Sequence, residues 1–423
     1  MEMRKTFELY PHQKECLKAV EDKKNCAFYI DMGLGKTFTG AERLVAYHNR
    51  KNLIICPKSL ISMWVEHFKT YYPKMPVYDL SKAKIGECAN FTGVGVINYD
   101  IVFRRPELLK MTGYTLMLDE SSKIMHSNTK RTKFISKLKP KNTILLSGTP
   151  CNGKYELLLS QAHMLGWKIT KKEYWQKYID WMLVDYGGIR FQKVTGYKNV
   201  DDLMKRLMHY GAVFMKAEDV FQLPATVENT IQIPIIPAYK RLLKRGITEH
   251  EGNTFVGDAP LSKRLYLRML CGGYNKEKLQ ALEDLLESTD DRVVVFYNFQ
   301  EDFNKICDLL HKLHKPISYI NGGGRDKEAY ENEHNAVTLV QYQSGAMGEN
   351  LQKSNILVYF TLPESSDLYT QSKKRIHRIG QERTCFYYYL MCENSIEGRI
   401  LAALEKGEDY TDALFQKYLE EMV

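Results

Sequence analysis

The run DMGLGKT, Asp31 to Thr37, places two glycines, a lysine and a hydroxyl in the order that a triphosphate requires. Glycines let the backbone approach phosphate oxygens, N–H groups at a helix start point at them, and the helix dipole favours negative charge. In that arrangement Gly33 and Gly35 shape the loop, Lys36 reaches the β- and γ-phosphates, and the Thr37 hydroxyl holds Mg²⁺. The strict pattern carries another glycine five residues before Gly35, where this chain has Ile30. Three further groups complete a hydrolytic set. Asp119 and Glu120 end an apolar run, the first suited to the Mg²⁺ shell and the second to polarising an attacking water. Ser147-Gly148-Thr149-Pro150 follows another apolar run and makes Ser147 and Thr149 candidates for sensing the nucleotide state. Residues 371–381 read QSKKRIHRIGQ and set Arg375 and Arg378 three apart, on one face if helical. Arginines from a second domain can answer charge developing on a γ-phosphoryl group. Taken singly, these are also a strand-to-helix cap, a turn stopped by proline and a solvated basic helix.

The elements that must position these groups are legible as alternating apolar and helical stretches. Strands are expected at 26–30, 52–56, 95–97, 115–118 and 143–146, with helices at 37–47 and 61–71. Strands separated by helix-length segments imply a parallel sheet covered on both faces, with ligands at the carboxyl ends of the strands. The glycine loop, Asp119-Glu120 and Ser147-Thr149 all fall at such ends. A second block begins near Pro224, with strands expected at 293–297, 317–320, 337–341, 356–360 and 386–391 and helices at 278–286 and 301–313. It has no Gly-Lys-Thr loop, but a glycine-bearing loop from Gly345 to Leu351 follows one strand. Between the blocks, residues 166–221 are aromatic and basic. Lysines interleaved with aromatics can stack on bases, although at helical spacing they more often pack a small core, so a mostly helical insertion is expected.

Composition sets bounds. The chain has 423 residues, 44% of them hydrophobic, which is enough for two or three domains. The first residues carry charges and no apolar core region, and no run approaches the roughly 20 apolar residues of a membrane span, so a soluble intracellular protein with no membrane partner is expected. Nine cysteines are scattered singly, which argues against a disulfide framework or zinc knuckle. A net charge of +9 suits contact with a polyanion over part of the surface.

Taken in order, the pieces resemble the Swi/Snf family of superfamily 2 helicase-like ATPases over nearly the whole chain. Tyr10-Pro11-His12-Gln13 resembles the family's adenine-reading segment, which implies a nucleotide contact for Gln13. Residues 55–60, with Trp64 and Glu66, look like motif Ia, and Ile97-Asn98-Tyr99 like motif Ib. Residues 146–150, with Asn152 and Glu156, are similar to motif III, 295–297 to motif IV, and 345–351 to motif V. Arg375 to Gln381, spelling His-Arg-Ile-Gly-Gln at its end, is the most family-specific string. Two departures stand out. The family usually ends motif II in Ala-His or Gly-His, where this chain has Ser121-Ser122, and Lys374 stands where glycine is common. The missing histidine normally helps couple hydrolysis to the nucleic-acid state.

The resemblance implies an α/β fold of two RecA-like lobes with parallel sheets, at about 1–165 and 225–423, and the insertion and linker at 166–224. It implies a DNA-dependent ATPase using ATP and Mg²⁺, with MgATP between the lobes. Lys36, Asp119, Glu120, Arg375 and Arg378 would serve catalysis; Gln13, Gly33, Gly35, Lys36, Thr37 and Gly348 would hold the nucleotide; Thr37 and Asp119 the metal. Lys58, Ser59, Asn98, Tyr99, Asn298, Ser344 and Gly345 are the expected DNA contacts, and Ser147, Thr149 and Gln371 the coupling groups. Translocation along double-stranded DNA, forked or branched substrates included, is the expected activity. The alternatives are a strand-separating helicase and a weakly hydrolysing nucleic-acid-binding effector. The cytoplasm or nucleoid is the expected location, and a viral protein in a bacterial host fits the compact chain.

Overall fold

The computed structural model describes residues 7–151, 153–186, 189–342 and 350–422. The chain divides into two compact units, 1–221 and 222–423. In the first unit, β1 (Asn25–Ile30), β2 (Lys51–Cys56), β3 (Val77–Asp79), β4 (Gly93–Asn98), β5 (Thr115–Asp119) and β6 (Asn142–Ser147) alternate with helices. A hairpin of β7 (Ile179–Tyr186) and β8 (Ile189–Tyr197) follows, then β9 (Ala212–Met215). The sheet order is β3-β4-β2-β5-β6-β1-β9, with every pairing parallel. β2, β4, β5 and β6 are buried along almost their whole length because helices cover both faces, which is why they read as unbroken apolar runs. Since β5, β6 and β1 are neighbours, their carboxyl ends bring Asp119, Ser147 and the loop after Ile30 to one rim.

The second unit holds β10 (Thr226–Ile233), β11 (Ile247–His250), β12 (Asn253–Val256), β13 (Val293–Tyr297), β14 (Ile317–Asn321), β15 (Gly324–Asp326), β16 (Val337–Gln341), β17 (Ile356–Tyr359) and β18 (Cys385–Cys392). Its main sheet runs β10-β18-β17-β13-β16-β14-β15, parallel except for the β14–β15 edge. Each unit is thus an α/β body around a parallel-dominated sheet, as expected for RecA-like lobes.

The stretch after Gly166 departs from a mostly helical insertion. The helices Lys171–Tyr178 and Val200–His209 are present, but an antiparallel hairpin of similar length stands between them. The two kinds of aromatic separate here. Trp167, Tyr174 and Tyr178 pack with Tyr210 in a buried cluster, the packing role their spacing favours. The run from Ile179 to Tyr186 is β-branched and aromatic and pairs as a strand. β9 then joins the first sheet beside β1, so the segment closes the first unit and the expected boundary at 165 does not coincide with the division at 221.

A buried ion pair lies in the core of the second unit. Lys278 Nζ lies 2.8 Å from Glu397 Oε1 and also donates to the Phe360 carbonyl at 3.0 Å. Glu397 Oε2 accepts the Cys392 N–H at 2.9 Å. Both side chains are almost fully removed from water. Charges so placed are tolerated because each answers the other, and deleting one leaves an uncompensated ion. Lys278→Met in the full chain is therefore expected to lose about 3–5 kcal/mol in chemical denaturation. Lys278→Met with Glu397→Leu should recover most of it, and a single variant within about 1 kcal/mol of wild type would contradict this reading.

Candidate nucleotide site and nucleic-acid interface

The glycine loop is shaped from outside as well as by its own residues. Gly33 and Gly35 sit at φ +89° and +77°, in the left-handed region that glycine enters without strain. Gly35 caps the helix Lys36–Ala46, so the first N–H groups of that helix face the rim. A Cβ at Gly35 would stand 2.1 Å from Gln13 Nε2, because that amide donates to the Leu34 and Gly35 carbonyls at 3.3 and 3.2 Å. His12 Nε2 pairs with the Leu34 carbonyl at 2.9 Å, and Gln13 Oε1 accepts the Tyr10 N–H. The Tyr10–Gln13 segment therefore clamps the backbone of the loop. Gln13 is buried, with both ends of its amide engaged in that clamp.

Lys36 and the Ser147–Thr149 turn are built around one another. A Cβ on Gly148 would come within 2.9 Å of Lys36 Nζ, so any larger residue there would displace the ammonium from this position. The Ser147 hydroxyl accepts the Thr149 N–H at 3.2 Å and fixes the turn. Among the described residues, neither the buried Lys36 Nζ nor the buried Glu120 Oε2 has a hydrogen-bond partner. A buried ammonium and a buried carboxylate oxygen left unanswered are costly unless a ligand meets them. The donor set fits MgATP: an ammonium and helix N–H groups for phosphate oxygens, with Asp119 and the half-buried Thr37 for a metal.

Asp119 is the most constrained group on the rim. It is 6% exposed; Oδ2 accepts the indole N–H of Trp64 at 2.7 Å and Oδ1 accepts the Glu120 N–H at 3.1 Å. Trp64 is itself fully buried on the helix Ile61–Tyr71, packed against His67 and Phe68. Burial first, and then the Glu120 carboxylate, push the Asp119 carboxyl up to about 6, against the pull of Trp64 and Lys36. Glu120 has φ +56°, a left-handed conformation that costs a non-glycine residue on the order of 1 kcal/mol. The Tyr99 hydroxyl spans the distortion, donating to the Asp119 carbonyl at 3.0 Å and reaching the Glu120 carbonyl at 3.5 Å.

The expected nucleic-acid contacts fall into two classes. Lys58 and Ser59 are exposed on the short turn Lys58–Leu60. Lys58 lines a cleft of about 1070 Å³ of mixed charge, in which Lys58, Lys69 and Lys82 stand beside Glu66, Asp79 and Asp100, with Asn98 also in its wall. Asn98 is only 4% exposed, and Tyr99 is 2% exposed with its hydroxyl turned to the carboxylate loop. Tyr99 thus braces Asp119 and Glu120 instead of presenting its hydroxyl to a DNA strand. Asn298, in the second unit, donates to the Thr361 and Leu362 carbonyls at 3.1 and 2.8 Å, so its amide orders the backbone there. Ser344, Gly345 and Gly348 lie outside the described residues.

Arg375 and Arg378 are not on a helix. The helix Ser366–Lys373, which carries the buried Gln371, ends before them, and both arginines follow in turns. The string is pinned instead by Gln381, whose amide donates to the Gln352, Ser354 and Ile376 carbonyls, and by His377 against the Pro224 carbonyl at 2.8 Å. Gly380, at φ +90°, permits the turn back to Gln381. Arg375 is 3% exposed, and burial lowers the Arg378 pKa from its ordinary value. Sequence reasoning missed Trp64 and Tyr99 as braces and also Gln161, a buried glutamine in an otherwise apolar helix face.

Comparison with known proteins places this arrangement. The SNF2-related domain family matches residues 12–279, and the helicase conserved C-terminal domain matches 277–380. A SWI/SNF-related matrix-associated actin-dependent regulator of chromatin subfamily A-like protein 1 from Xenopus tropicalis is 22% identical over 410 residues. That alignment takes in 92% of this chain and 43% of the relative. An uncharacterized ATP-dependent helicase of Bacillus subtilis, YqhH, is 24% identical over 452 residues, covering 94% of this chain and 78% of its own length. The Sulfolobus solfataricus SWI2/SNF2 ATPase core in complex with dsDNA aligns over all of this chain and 95% of its own, at 19% identity and a TM-score of 0.46.

The raised Asp119 carboxyl has a consequence for stability. Between its ordinary value and about 6 the folded chain holds the proton more tightly than the unfolded one, so stability falls as pH rises through that window and is level above it. Ionised Asp119 is thus a burden on the metal-free protein at neutral pH. Asp119→Asn is expected to raise metal-free stability by roughly 1–3 kcal/mol at about pH 8, and by much less at about pH 4. Melting both proteins in chelator at the two pH values checks this, and equal shifts at both would refute it.

Proposed function

This chain belongs to the SNF2-related family, and we propose that it is an ATP-dependent translocase on double-stranded DNA. The observation that carries the reading is the pair of unanswered buried charges, Lys36 Nζ and Glu120 Oε2, on the rim that also holds Asp119. In this reading the loop N–H groups and Lys36 bind the β- and γ-phosphates, Thr37 and Asp119 hold Mg²⁺, and Glu120 takes a proton from the attacking water. Mg²⁺, when bound, supplies charge neutralisation on the phosphate oxygens. Arg375 and Arg378 would answer the charge on the transferring group, and ADP and phosphate are the products. Lys58 and Ser59 on their exposed turn are suited to phosphate contacts, which grip without reading sequence.

Strand separation is the second reading, and one observation favours it. The β7–β8 hairpin exposes Trp181, whose indole can stack on an unpaired base, beside the exposed Met182 and Leu183.

Steady-state ATP hydrolysis with no nucleic acid, duplex DNA, single-stranded DNA and RNA separates the readings. Stimulation by duplex DNA is expected, with Lys36→Ala lowering the stimulated rate about 10²- to 10³-fold. Stimulation by single strands alone, accompanied by unwinding that Trp181→Ala weakens, would replace translocation with the second reading. A rate that no nucleic acid changes would reject both.

A further inference from the structure

A buried polar relay connects the carboxylate pair to the Ser147–Pro150 turn. Ser121 follows Glu120 directly and is fully buried; its hydroxyl donates to Gln161 Oε1 at 2.7 Å. Gln161 is also fully buried, on the helix Leu159–Leu165, and its Nε2 donates to the Pro150 carbonyl at 2.7 Å. One side chain thus spans from the residue after Glu120 to the residue after Thr149. The direction of the relay is fixed. The Pro150 carbonyl can only accept, so the amide nitrogen must face it and the amide oxygen must face Ser121. A glutamine so fully buried would be costly without both bonds.

In the proposed function, the two ends of the relay lie beside the groups assigned to the γ-phosphate and the attacking water. At one end, Lys36 Nζ lies over Gly148 in the turn that Ser147 and Thr149 close. At the other, Glu120 sits in its left-handed conformation with Oε2 unanswered. A shift of either loop by a fraction of an ångström strains a 2.7 Å bond and is felt by the other. The chain lacks the histidine that usually ends motif II, having Ser122 there. We propose that Ser121 and Gln161 are positioning residues that couple the carboxylate pair to the Ser-Gly-Thr-Pro turn, and that this link sets how strongly nucleic acid stimulates ATP turnover. The inference rests on the proposed function. It assigns to Ser121 and Gln161 the coupling otherwise expected of that histidine.

The test uses the full chain with ATP, Mg²⁺ and duplex DNA, comparing wild type, Ser121→Ala, Gln161→Met, their double variant and Ser121→Thr. Basal hydrolysis and the KM for ATP of Gln161→Met should stay within about twofold of wild type, while its stimulation by DNA falls about 5- to 10-fold. The double variant should be no worse than the poorer single one, because both break the same link, and Ser121→Thr should keep most of the stimulation. Melting curves identify any variant that fails to fold. The double variant, in which an apolar pair replaces the polar one, then carries the comparison. Stimulation unchanged in Ser121→Ala and in the double variant overturns the relay, as does a loss proportional to the basal rate. A wild type that nucleic acid does not stimulate fails the functional reading itself, and that control distinguishes the two failures.

Discussion

A 2.7 Å hydrogen bond from the Trp64 indole steadies Asp119, an ionisable carboxylate almost wholly removed from water at the rim of the first sheet. Almost everything around the rim serves that placement. Trp64 can donate only because its ring is locked against His67 and Phe68 on a helix that packs beside β4. Its single N–H leaves Oδ1 to the Glu120 N–H, so the carboxylate is steadied without being neutralised. An arginine in the same place would hold the carboxylate more firmly and would also compete with any metal for it.

The neighbouring groups follow the same logic of partial satisfaction. Glu120 is kept in an unfavourable backbone conformation by Tyr99, which binds carbonyls and leaves both carboxylates alone. Gln13 Nε2 and His12 Nε2 pair with carbonyls of the loop backbone and take none of its N–H groups. Gly148 clears space for the Lys36 ammonium without offering it a partner. The buried charge left over is a stability burden in the free protein, which a nucleotide bound as proposed would relieve.

Much of this was legible in the chain. β1, β2, β5 and β6 read as apolar runs because a parallel sheet is covered on both faces, and the glycine-lysine-threonine run announces its own loop. The braces were not legible. Trp64 meets a partner 55 residues away, and nothing local distinguishes it from a core tryptophan. Tyr99 and Asn98 carry the right chemistry for a strand contact, but the turn after β4 directs them inward. The arginine string looks helical by spacing, yet Gln381 ties it to distant backbone, donating to the Gln352 and Ser354 carbonyls as well as to that of Ile376 within the string. The hairpin escaped because aromatic residues serve both a helix core and a strand, and only pairing decides between them.

The central claim is that Asp119 is held as a buried, reluctant carboxylate whose ionisation is completed by the metal of a bound nucleotide. Titration calorimetry of Mg·ADP binding, run near pH 6 in two buffers of different ionisation enthalpy, measures this most directly. Because the free carboxyl titrates at about 6, wild type should release roughly half a proton on binding, and Asp119→Asn should release almost none. Equal proton release by both proteins, or binding of Mg·ADP that Asp119→Asn leaves undiminished, would contradict the account.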